Sequence, residues 1–186
     1  IAPFQLSTRF HPNGYLEMNM FVVLAAAAAA AGVAGAPLVP TRTYANAHSL
    51  APTLDWELHW SVTEDVVEVG ILARTTGWVG LGFADPAGGG MKGADILVGS
   101  FDGSSGTGVV GDYWAEAYGA PSDDACQDWS LASASENATH TLLEATRAVV
   151  TGDAQDRDIV DGALPRRLIA AYGATDELFY HGSNRL

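Results

Sequence analysis

The chain has 186 residues with 22 acidic and 9 Lys or Arg side chains, a formal net charge of −13 at pH 7 and a pI near 4.4. Nucleic acid needs a basic footprint and anionic membranes attract Lys and Arg, so neither is an expected partner. The length suits a single domain with a real hydrophobic core.

In chain order, residues 1–17 read as upstream sequence and 18–36 as a secretory signal. Met18 and Met20 lead into 16 apolar residues, Phe21 to Ala36, short of the roughly 20 that cross a bilayer as a helix. The run ends in Ala34-Gly35-Ala36, a small-x-small cleavage pattern followed by Pro37, although no positively charged segment precedes it. The alternative is an alanine-rich buried helix or spacer. A cut after Ala36 places residues 37–186 in the secretory lumen or outside the cell. Arg9 and Glu17 cancel, so the net charge is unchanged.

Residues 37–53 have no period and read as an N-terminal arm. Alternating runs follow at 55–62, 65–74, 77–84, 94–101, 109–117, 139–149 and 166–173. Trp56, Leu58 and Trp60 share one face of the first, opposite Glu57 and His59; Val67, Val69 and Ile71 share one face of the second. Period-2 runs separated by Gly, Asp, Ser and Pro predict an all-β antiparallel sandwich. His59 is expected outward on its strand, and Trp56, Trp60 and Trp114 in the packing between sheets. The "DGSSGTG" stretch, 102–108, reads as a hairpin connection. The acidic loop 151–162 lacks the D-x-D-x-D-G register of an EF-hand, and Arg147 is expected to pin it through Asp153, Asp156 or Asp158.

Familiar catalytic motifs are missing. The sequence has no G-x-S-x-G, no H-E-x-x-H, no phosphate-binding P-loop and no C-x-x-C-H. No catalytic constellation emerges, which leaves enzymatic activity in this segment unassigned. Cys126 is the one cysteine, expected as a free buried thiol or as half of a bond to protein outside the segment. Asn137 opens an N-A-T glycosylation sequon. Asp95 and Asp128, with main-chain carbonyls such as those of Ile96 or Tyr113, form a candidate site for a hard cation such as calcium.

Three ordered stretches are similar to the DOMON domain: "TTGWVGLGFADPAGGGMKGADILVGSF", "ENATHTLLEATRAVVTGDAQDRDIVDG" and "RLIAAYGATDELFYHGSNRL". The last two most resemble the N-terminal DOMON domain of dopamine β-hydroxylase-like copper monooxygenases. The resemblance covers residues 54–186 and implies an immunoglobulin-like β-sandwich, secreted or lumenal. It further implies b-type haem held by Met91 and His181 for electron transfer. The expected partner is then a redox protein or an adjacent copper monooxygenase domain. The alternative within the family is a haem-free module that docks a partner domain or a carbohydrate. A thioether and an imidazole together suit an electron-transfer haem iron. Met91 is the one methionine after residue 36, and its glycine neighbours let backbone approach a flat ligand. Trp78, Phe83, Phe179 and Tyr180 are expected to wall the slot.

Overall fold

The computed structural model describes residues 7–10, 16–19, 36–159 and 166–186; the apolar run, apart from Ala36, lies outside them. The strands in chain order are β1 (Ser7–Phe10), β2 (Leu16–Asn19), β3 (Asn46–Ser49), β4 (Trp56–Val62), β5 (Val66–Ala73) and β6 (Val79–Ala84). They continue with β7 (Asp95–Asp102), β8 (Thr107–Trp114), β9 (Ser122–Asp123), β10 (Ser130–Glu136), β11 (Thr141–Ala148) and β12 (Arg166–Tyr172). One sheet has the order β1-β2-β12-β6-β7-β8-β9 and the other β10-β11-β5-β4-β3. Every pairing is antiparallel. No helix among the described residues is long and apolar enough to cross a membrane.

The two sheets meet through the alternation that the sequence predicts. Leu58, Trp60, Val67, Val69 and Ile71 from one sheet face Val79, Leu81, Phe83, Leu97, Leu168 and Ala170 from the other. Each of the larger side chains contributes about 1.5–3 kcal/mol by leaving water, which makes this layer the main source of stability. All seven expected runs contain a strand. The stretch 102–108 is a hairpin turn in which the Asp102 carboxylate accepts from the Ser104 and Ser105 backbone and hydroxyl groups.

The arm departs from its aperiodic reading. Residues 46–49 pair with β4, and residues 41–44 are strapped across the second sheet by Glu144. That carboxylate accepts from Thr41 N at 3.0 Å, Thr41 Oγ1 at 2.5 Å, Arg42 N at 3.2 Å and Tyr44 Oη at 3.0 Å. Tyr44 also comes to lie beside His59, with ring centroids 5.9 Å apart. His59 points away from the core as expected, yet its side chain is only 19% exposed because the arm covers it.

Candidate functional site

The seven-stranded sheet carries a second apolar cluster on the face turned away from the sandwich core. It consists of Trp78, Ala94, Ile96, Val98 and Ala115, with Met91, Tyr113, Ile169, Ala171 and Leu178 packed on it. Strand register explains its layout. Ile169, Gly82, Ile96 and Tyr113 are successive partners across β12, β6, β7 and β8; Ala171, Gly80, Val98 and Gly111 form the next row. An outer sheet face ordinarily presents polar side chains to water, whereas these central positions are already buried, with Met91, Tyr113, Ile169 and Leu178 packed against them.

Two chain segments border this face. The loop joining β6 to β7 delivers Met91, which is partly buried against the cluster. Gly89, Gly90 and Gly93 in that loop have φ of 67°, 74° and 75°, a left-handed conformation open to glycine and costly for most other residues. The segment after β12 supplies Leu178 to the cluster and then Phe179, Tyr180 and His181. It is anchored by Tyr172 N to Asn184 O at 3.1 Å and by reciprocal backbone bonds between Ala170 and Leu186. Trp78 locks the same end, its ring so close to Gly173 that a Cβ there would stand 2.0 Å from the indole Nε1.

His181 is partly buried, with Nδ1 3.1 Å from the Gly182 carbonyl. Donation from Nδ1 to that oxygen leaves the Nε2 lone pair available to a metal, a common way of setting the ligating tautomer. Phe179 and Tyr180 are 79% and 71% exposed. Of the four aromatics expected around a slot, Trp78 joins the cluster. Phe83 does not: strand alternation sends it to the sandwich core, where it stacks on Trp129 at 6.2 Å.

The opposite face of the same strands holds a charged cluster. Arg147 is fully buried and donates from a terminal nitrogen to Asp95 Oδ2 at 2.8 Å. The same nitrogen is 3.2 Å from Asp156 Oδ1. The guanidinium also stacks over Trp129, 4.9 Å from its ring centre. Arg147 therefore pins the acidic loop through Asp156, as expected for one of the three candidates. Asp95, Asp112 and Asp156 bring carboxylate oxygens within 4.8 Å of one another. Asp95 Oδ1, Asp112 Oδ1 and both Asp156 oxygens have no hydrogen-bond partner. Burial, reinforced by the charges of Asp95 and Asp156, pushes the Asp112 carboxyl up to about 7. Burial also raises Asp95, against the opposing pull of Arg147.

The cation pair expected from sequence is thus divided. Asp95 groups with Asp112 and Asp156, whereas Asp128 groups with Cys126 and Asp153. Asp128 reaches the first group only through its backbone N–H, 3.3 Å from Asp112 Oδ2. Asp112 was legible in principle, since it shares strand parity with the inward Val110. Asp156 sits in a loop whose path no periodicity predicts. Cys126 is a free and exposed thiol, not a buried one, and its bond to the Asp153 carboxylate pushes its pKa up to about 11. Trp114 lies outside the core and stacks with Arg157 at 5.2 Å. Asn137 folds its sequon into a turn, its Oδ1 accepting from Thr139 and His140 while Nδ2 donates to the Ala36 carbonyl at 3.2 Å.

Comparison with known proteins adds to this geometry. The family model described as DOMON domain matches residues 53–173. Human DBH-like monooxygenase protein 1 is 36% identical over 148 residues, 77% of this chain and 23% of that protein. The chicken protein of the same name is 35% identical over 81% of this chain and 24% of its own length. The chain thus spans about a quarter of these curated relatives. Among solved structures, the cytochrome b domain of pyranose dehydrogenase from Coprinopsis cinerea superposes with a TM-score of 0.58 at 17% identity, covering 77% of this chain and 80% of that one. That likeness establishes the fold.

Proposed function

This chain belongs to the DOMON domain family, and from that premise we propose that its outer apolar face holds b-type haem between Met91 and His181 for electron transfer. The observation that supports the reading is a thioether packed on one apolar face, with an imidazole three residues beyond Leu178 in the other segment that packs on it. The donor set fits the group: a soft sulfur, a histidine with Nε2 unengaged, and apolar walls to exclude water. Bound haem would supply reversible one-electron chemistry. The chain's part is to orient both ligands, shield the ring and set the surface a partner meets.

The test is the visible spectrum of the full chain expressed with haem supply. We expect a low-spin Soret band, with split α and β bands on reduction, that is lost in Met91→Ala and in His181→Ala. A folded parent protein that takes up no haemin, or variants that keep the parent spectrum, would refute the assignment. The first of those outcomes favours the haem-free docking module, for which exposed Phe179, Tyr180 and Tyr118 would form the contact surface.

The relatives' length supports a place beside further domains, including those of a copper-dependent monooxygenase. The leader over 18–36 and a glycan on Asn137 complete the proposal. Cleavage after Ala36 removes the carbonyl to which Asn137 Nδ2 donates and the hairpin of β1 and β2 from the edge of β12. Mass spectrometry of the secreted protein should find Pro37 at the N-terminus and hexosamine on Asn137; an intact residue 36 with unmodified Asn137 contradicts both.

One specific observation favours a second, structural site. Three buried carboxylates gather around a guanidinium that pairs with only two of them, Asp95 and Asp156, and leave oxygens without hydrogen-bond partners, an arrangement that a hard divalent cation would complete. Calcium should raise the melting temperature of the parent and leave Asp112→Asn unmoved; a flat calcium titration of the parent removes the site.

A further inference from the structure

We infer that Arg157 is a positioning residue that fixes Met91 on the apolar face in advance of any ligand. This deepens the haem reading and rests on it for what Met91 is held ready to do; the clamp itself is read without haem. Met91 opens a β-turn. Its carbonyl accepts from Ala94 N at 3.0 Å, and Gly93, the third residue, has φ of 75°, the place that favours glycine in type II turns. The backbone of Gly93 is held from outside the loop on both its groups. Its N–H donates to the Ala115 carbonyl at 2.7 Å, and its carbonyl accepts from Arg157 Nη2 at 2.6 Å.

Arg157 comes from the acidic loop and is itself held at three points. Its backbone N–H donates to Asp95 Oδ2 at 2.9 Å, and its carbonyl accepts from Arg147 Nη2 at 2.8 Å. Its guanidinium lies over the Trp114 ring, 5.2 Å from the centroid. The buried Asp95–Arg147 pair thus reaches the Met91 turn through this one residue. Arg157 is the single basic residue between Thr151 and Ile159, so no neighbour in that loop can take its place. Arg167 of β12 braces the other limb of the Met91 loop: a Cβ on Gly89 would stand 2.5 Å from its Nη1. The limbs meet where a Cβ on Gly93 would lie 3.6 Å from Asp85 Cβ. Asp85 accepts from Ala87 N at 2.8 Å, and that bond, helped by the charges of Arg157 and Arg167, holds its carboxyl below the ordinary value.

The bracing matters because of what methionine is. Its unbranched side chain has three rotatable bonds, and its thioether carries no charge with which to hold a metal. A ligand on a loop that orders only on binding loses affinity to that ordering. Groups that fix the loop beforehand remove the loss.

The full chain tests this in two ways. Without haem, hydrogen exchange at the Ala94 amide reads the turn, and peroxide oxidation of Met91, followed by mass spectrometry of its peptide, reads the side chain. With circular dichroism unchanged, we expect both to quicken about tenfold in Arg157→Gln, and Arg157→Lys, which keeps a donor, to recover part of the difference. With haem, added imidazole should displace Met91 from the iron at about a tenfold lower concentration in Arg157→Gln than in the parent. A merely structural role would lower the melting temperature and leave that competition alone. Should Arg157→Gln not fold, Trp114→Leu, which removes the ring beneath the guanidinium, carries the same measurements. Folded variants whose Ala94 exchange and Met91 oxidation match the parent overturn the inference, even where the parent's haem spectrum supports Met91 and His181. Rates that quicken while the imidazole competition stays at the parent value also overturn the positioning role, because the brace then does not reach the iron. Conversely, quickened rates in a protein that takes up no haemin, or whose haem spectrum ignores Met91→Ala, keep the clamp and refute the ligand.

Discussion

The two faces of the seven-stranded sheet reverse the usual sandwich arrangement. β7 shows it within four residues: Asp95 points to the interior, Ile96 outward, Leu97 inward and Val98 outward. The inner face hides Asp95 and Asp112, joined there by Asp156 from the acidic loop and Arg147 from β11, while the outer face carries an apolar cluster. Hydrophobic burial alone would produce neither. Charges inside the sandwich cost several kcal/mol of desolvation each unless they are paired, and apolar rows outside gain only what the chain's own side chains cover. The difference teaches that the sheet is a platform. Its outer side gathers an apolar cluster on which Met91 packs, and its inner side ties the strand end beside the Met91 loop to the acidic loop.

Arg147 should give the largest effect on this arrangement. Arg147→Met keeps the apolar stem but leaves Asp95, Asp112 and Asp156 facing one another without a counter-charge. We expect a loss of about 3–5 kcal/mol in urea denaturation, the range seen when one partner of a buried pair is removed. A loss below about 1 kcal/mol would mean that the cluster is neutralised in another way. Next in size, Asp112→Asn relieves the like-charge repulsion without changing volume. In chelator it should stabilise the protein by about 1–2 kcal/mol, within the range for buried polar groups. If it destabilises instead, the three carboxylates are not in conflict.

How much of this was legible in the sequence divides along the same faces. The strands β4 to β8, β11 and β12 follow from alternation, because each buries one apolar face against the other sheet. Met91 and His181 were reached through the resemblance to a family, supported by the uniqueness of that methionine. The strand β10 was not legible: "SLASASE" is small and polar, and as an edge strand it takes its place from pairing with β11. The outer rows were also out of reach, since glycines and valines two apart do not reveal which strands will stand beside them. Register does that, and register is a property of the whole sheet. Phe83 illustrates the error that follows: closeness in sequence to Met91 suggested a slot wall, while parity put it on the other face.

The smallest effect belongs to the other sheet, where the outer face is covered by the chain itself. Glu144 of β11 lies beneath residues 41–44 with no exposed surface, and Leu142, of the same strand parity, is buried as well. Burial alone would raise its carboxyl, but the bonds from Thr41, Tyr44 and Arg42 outweigh that and hold it below the ordinary value of 4.5. A depressed carboxylate contributes stability that is complete above its unfolded pKa and disappears as pH falls through the folded one. The strap should therefore be firm at neutral pH and loosen below about pH 4.5. Glu144→Gln retains the shape but weakens the charge-assisted bonds, so it should cost about 1 kcal/mol at pH 7 and flatten stability against pH on the acid side. Amide exchange at Thr41 and Arg42 reads the strap directly. If both amides exchange equally fast in parent and variant at pH 7, the arm is not held by Glu144, and the five-stranded sheet would present an outer face in need of a partner.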